Sequence, residues 1–60
     1  MEIYEGDEVM IMTGKLMSFY GHVVSIERYQ NKPDKALVRT LDENNEPTRR
    51  RYNLSNLLKS

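Results

Sequence analysis

The side chains of this chain that could do chemistry are few, and their types point to binding rather than catalysis. His22 is the sole imidazole and there is no cysteine, which excludes disulfides, thiolate metal sites and a histidine-rich zinc site. No Ser, Cys or carboxylate stands at telling spacing from His22. The carboxylates lie in turns and near the N-terminus, without an apolar pocket to tune a pair. A Walker or Rossmann glycine loop and a nucleophile elbow are both missing. What remains is a cationic set and an apolar loop. Arg49, Arg50 and Arg51 are consecutive, and with Arg39 and Lys15 they could contact phosphates while Tyr52 stacks on a base. The loop Leu16-Met17-Ser18-Phe19-Tyr20 concentrates large apolar side chains where a loop is ordinarily polar. Such a patch can dock a protein or stack on a base, provided Leu16 or Phe19 does not fold back into the interior.

These residues need a frame, and sixty residues allow one domain, spanning 1–60. Such a domain buries only roughly 60% of its unfolded surface. The net charge is zero, which argues against a chain that must coat itself in phosphates but leaves room for one basic face. Residues 1–8 are acidic and residues 48–60 basic, so the two ends can also pair weakly with each other. No apolar run is long enough to span a bilayer, and the acidic start lacks a signal-peptide layout; a cytoplasmic protein is expected.

Strand signals dominate. Glu8-Val9-Met10-Ile11-Met12 is a short apolar run between Gly6-Asp7 and Thr13-Gly14. A second run, His22 to Arg28, opens after Gly21, and a third covers Lys35 to Leu41. Turn chemistry separates them at Gln30–Asp34 and again at Asp42–Pro47. Thr48 to Tyr52 is a strand by position, and Asn53 to Leu58 reads as a helical turn followed by a short strand. Several short strands with regular turns predict an all-β sandwich or barrel. The expected core is Val9, Ile11, Val23 or Val24, Ile26, Ala36, Val38, Leu54 and Leu57. Met10 and Met12 share the face opposite Val9 and Ile11, so that face needs a cover, from Tyr4 or Tyr52 or from a partner protein.

Gly6-Asp7-x-Val9-x-Ile11-x-x-Gly14, then Gly21 seven positions on and x-Val23-x-x-Ile26, resembles the KOW motif of NusG-type transcription factors and several ribosomal proteins. Phe19 stands where NusG-type domains often carry an aromatic, and residues 48–58 resemble their final strand, turn and strand. The resemblance implies a small five-stranded SH3-like β-barrel without enzymatic activity or cofactor. It implies a recruitment module in transcription elongation or antitermination, monomeric, whose partner is a protein of the transcription or translation machinery or RNA. The resemblance places the docking surface at Phe19 and Tyr20 and around Pro47–Arg49; with the residues the charge run and apolar loop single out, the candidate binding set is Lys15, Met17, Phe19, Tyr20, Arg39, Arg49, Arg50 and Arg51. Ribosomal members usually place a further glycine and a basic residue in the first loop; this chain has Ser18 there, which favours the NusG-like role. A ribonucleoprotein RNA-binding component and a protein-docking accessory barrel are the alternatives.

Overall fold

Strand alternation sends Ala36, Val38 and Thr40 to one side of their segment and Leu37, Arg39 and Leu41 to the other. In a computed structural model of the chain, which describes residues 2–60, the first three are buried. The described residues form β1 (Glu8–Ile11), β2 (Tyr20–Glu27), β3 (Lys35–Leu41), β4 (Pro47–Asn53) and β5 (Leu57–Lys59), with a single 3₁₀ turn at Leu54–Asn56. All pairings are antiparallel, in the order β4-β3-β2-β1-β5. The fold is therefore all-β, as expected. The hydrogen-bonded ladder does not close on itself, however. β4 pairs only with β3, and the three-residue β5 pairs only with β1, which leaves an open five-stranded sheet in place of the expected closed barrel.

The core lies on one face. Val9, Ile11, Leu16, Ala36 and Val38 are completely buried, with Ile3, Val23 and Leu57 nearly so. Phe19, Ile26, Tyr52 and Leu54 pack against them in part. Full burial of each large aliphatic side chain contributes about 1.5–3 kcal/mol relative to exposure. Thr40 is the one buried polar side chain among the described residues, and its Oγ1 donates to the Tyr20 carbonyl at 2.6 Å. A bulge settles which of two valines is internal. Val23 pairs with Val38 and Ser25 with Leu37, so Val24 is the extra residue and is left exposed.

The signature residues act through the backbone. Gly6 has φ +88°, a conformation open to glycine at no steric cost. Its N–H donates to the Val23 carbonyl at 2.8 Å, and the Val23 N–H donates to the Asp7 carbonyl at 3.0 Å. Asp7 Oδ2 accepts the Tyr4 N–H at 2.8 Å and lies 3.4 Å from Lys59 Nζ. The acidic start and the basic end thus meet in one ion pair. Gly21 serves a different purpose, because a Cβ there would stand 2.6 Å from Val38 Cγ1 and 2.7 Å from the Arg39 carbonyl oxygen. Only glycine lets β2 and β3 approach so closely.

Candidate functional site

Residues paired across antiparallel strands share a face, so the registers fix what the solvent side of the sheet displays. Met10 pairs with both Leu58 and Tyr20, and Leu41 pairs with Pro47. Gly21 opposite Thr40 sets Tyr20 beside Leu41. The result is an apolar row that crosses all five strands: Leu58, Met10, Tyr20, Leu41, Pro47. Tyr20, Leu41 and Leu58 are each about half exposed, at 53%, 48% and 50%. Neither residue expected to cover this side does so. Tyr52 is opposite Ala36 on the core face, and Tyr4 lies against Lys59, whose Nζ is 5.6 Å from its ring centroid.

The row deepens into a groove of about 390 Å³ lined by Tyr20, Gly21, His22, Arg39, Thr40, Leu41 and Pro47. A parallel polar row borders it, Glu8-His22-Arg39-Arg49, from β1 to β4. Asp42 fixes the hairpin at the mouth of the groove: its Oδ1 accepts the N–H groups of Asn44 and Glu46, both at 2.9 Å. Asn45 takes φ +64° to complete that turn, a conformation asparagine tolerates better than most residues.

Among the residues singled out from the sequence, the groove gathers Tyr20, Arg39 and Pro47, with Arg49 opposite Arg39. The others lie elsewhere. Lys15 and Met17 are exposed in the β1–β2 loop. Ser18 (φ +74°) and Gly14 (φ +75°) curl that loop, with Ser18 N–H donating to the Ile11 carbonyl at 2.7 Å. The curl drops Leu16 into the core and half-buries Phe19 against it. Arg50 pairs with Val38 on the core side of edge strand β4, yet is exposed. Arg51 is held by Glu27, Nε to Oε1 at 3.1 Å. Leu41 escapes sequence reasoning, because as the last residue of an alternating strand it has no special chemistry until the register sets it between Tyr20 and Pro47.

A second cluster occupies the far end of the same strands. Tyr29 Oη donates to Glu27 Oε1 at 3.1 Å, and this bond with the Arg51 contact holds the Glu27 carboxyl below its ordinary range. The Tyr29 phenol is pushed up by the same hydrogen bond to Glu27. Arg28 reaches Asp34 at 3.0 Å, and Lys32 lies 4.3 Å from the centroid of the Tyr29 ring. Every charge in this cluster has a partner, so its chemistry is spent on fastening the β2–β3 connection.

No helix among the described residues is long and apolar enough to cross a membrane. Comparison with known proteins finds no match among curated proteins or solved structures. The family model described as the KOW motif does match, over residues 5–39. That span holds Gly6-Asp7, the curled loop, the whole of β1 and β2, and β3 as far as Arg39. With more than half of its length so matched, the chain belongs to the KOW-motif family.

Proposed function

We propose that this chain is a non-catalytic recruitment module, similar to the KOW domains of NusG-type elongation and antitermination factors, that docks a partner protein on the solvent side of its sheet. KOW domains are in general RNA- and protein-binding modules of ribosomal proteins and transcription factors. The observation that carries the reading is the convergence of Tyr20 from β2, Leu41 from β3 and Pro47 from β4 on one groove. An apolar groove rimmed by a few polar groups is the usual form of a docking site. The strand order, with β5 beside β1 and a 3₁₀ turn before it, supports the SH3-like reading. The sixty residues act as one cytoplasmic domain in this reading.

Titrating the ¹⁵N-labelled chain with a purified ribosomal protein or termination factor tests it. The expected result is amide shifts confined to Tyr20, Arg39, Leu41 and their strand neighbours, lost in Tyr20→Ala. Shifts centred on the core side or on the Glu27 cluster would refute it. The Arg49-Arg50-Arg51 run favours a second reading, an RNA-binding ribonucleoprotein component. Affinity for single-stranded RNA that falls steeply with salt, and collapses when the three arginines become alanine, would support that one instead.

A further inference from the structure

Arg39 and Arg49 are direct cross-strand partners on the solvent side, at the edge of the groove. Residues so paired have Cα atoms about 4.5–5.5 Å apart, and like charges in that position destabilise a sheet. Among the described residues no carboxylate lies within ion-pair distance of either guanidinium. Glu8 stands at the other end of the same polar row, but His22 separates it from Arg39 and its Oε1 accepts the Ser60 hydroxyl at 3.0 Å. Asp42, at the adjoining turn, already spends Oδ1 on two backbone amides. The fold therefore tolerates an uncompensated pair of cations beside an exposed apolar row. Arg51, two positions along β4, has its own carboxylate.

Resting on the docking reading, we infer that the Arg39–Arg49 pair is a carboxylate clamp, and that the groove takes a protein segment carrying an acidic side chain next to an aliphatic or aromatic anchor. A carboxylate between two guanidiniums receives charge-assisted hydrogen bonds from both and removes their repulsion. The anchor fills the space between Tyr20, Leu41 and Pro47. A protein carboxylate suits this surface better than an RNA phosphate. The apolar row offers one aromatic ring, Tyr20, among Leu58, Met10, Leu41 and Pro47, whereas single-stranded nucleic acid is held by successive stacked aromatics. The chain's zero net charge points the same way.

The test uses the full chain, ¹⁵N-labelled, at low salt, with an end-capped Leu-Glu-Phe-Glu-Leu peptide and its glutamine counterpart Leu-Gln-Phe-Gln-Leu. The acidic peptide is expected to bind about tenfold more tightly, the scale of a hydrogen bond to a charged group. Arg39→Gln and Arg49→Gln should each reduce it to the level of the glutamine peptide, while Lys32→Gln, at the far end of the strands, leaves it unchanged. In the free chain the same two arginine substitutions should raise Tm by about 2 °C through relief of like-charge repulsion. That gain should fade at high salt. Equal affinity for the two peptides, lost in Leu41→Ala, overturns the clamp and leaves the groove standing. No peptide-induced shift at Tyr20, Leu41 or Arg49 overturns both. An eight-nucleotide single-stranded RNA that binds through Arg39 and Arg49 more tightly than the acidic peptide overturns the choice of protein.

Discussion

The two ends of the β2–β3–β4 ladder treat the same kind of side chain in opposite ways. At one end Arg51 is seated on Glu27, Glu27 also accepts from Tyr29, and Arg28 is closed onto Asp34. At the other end Arg39 faces Arg49 with no acid between them, and the neighbouring Tyr20 and Leu41 are half exposed. The strands and the face are shared, so the difference is one of composition. Glu27 lies on the solvent face of β2 at the satisfied end, and His22 takes the equivalent place at the other. Partnered charge holds a hairpin together, and unpartnered charge beside apolar surface is available to a ligand. The register is needed to see which arginine meets which residue, because along the sequence Arg49, Arg50 and Arg51 are one run.

The largest way to break the contrast is Gly21→Ala. The new methyl meets Val38 Cγ1 and, less yieldingly, the Arg39 carbonyl, so β2 and β3 must separate where they carry the groove. Overpacking of this kind costs about 2–3 kcal/mol, enough to leave much of so small a domain unfolded at 37 °C, and a thermal melt would show it. The next test swaps the two solvent-side leucines of β3. Leu41→Ala should change stability by less than about 0.5 kcal/mol, since the side chain is half exposed, yet weaken partner binding about tenfold, as expected for an anchor in a docking surface. Leu37→Ala, beside Arg51 and only part-exposed, should do the reverse, lowering the urea midpoint and leaving affinity unchanged.

Acid sharpens the contrast further. The Tyr29 hydroxyl and then Arg51 lower the Glu27 pKa from 4.5, and the Tyr4 amide chiefly lowers that of Asp7 from 3.8. A carboxyl whose folded pKa is depressed contributes stability that is complete above its unfolded value and is lost as pH falls through the folded one. Melting temperature should therefore hold between pH 7 and 5 and decline below about pH 4.5. Glu27→Gln should start lower at pH 7 and decline less steeply, whereas Arg39→Gln should leave the slope as it is. The smallest effect belongs to Ser18→Gly. At φ +74° the serine occupies a region where a side chain is strained, and glycine should stabilise the chain by about 0.5 kcal/mol. The loop would keep its curl, so Leu16 and the affinity of the groove should not change.

Much of the frame is legible in the sequence. Val9, Ile11, Ala36, Val38 and Leu57 declare themselves by alternation and β-branching, and all are buried. The Gly6-Asp7, Gly14 and Gly21 signature announces its turns and one close approach. The groove is less legible, for physical reasons. Tyr20 reads as the last residue of an apolar loop, but pairing with Met10 makes it the first residue of β2 and turns its ring onto the solvent face. Whether Leu16 or Phe19 turns inward is open in the sequence, and two left-handed residues settle it by folding Leu16 into the core. The choice between Val23 and Val24 depends on a bulge that alternation cannot reveal. The two pairing outcomes depend on how distant segments meet, and that of Leu16 on a serine held in a left-handed conformation, neither of which alternation encodes.

The pairing of β1 with β5 has a consequence for the order in which the domain folds. Val9 is opposite Lys59, and the Ser60 N–H donates to the Glu8 carbonyl at 3.0 Å, so β1 gains its second neighbour from a segment far along the chain. The hairpins between β2, β3 and β4 can form between neighbouring segments. β1 must wait with one edge bare until residues 57–60 arrive, and closing so long a loop comes late in folding. During that interval Val9 and Ile11 lack the cover of Leu57, and the bare edge can recruit a foreign strand. A substitution that weakens β5, such as Leu57→Ala, should lengthen that exposure and lower the yield of folded protein.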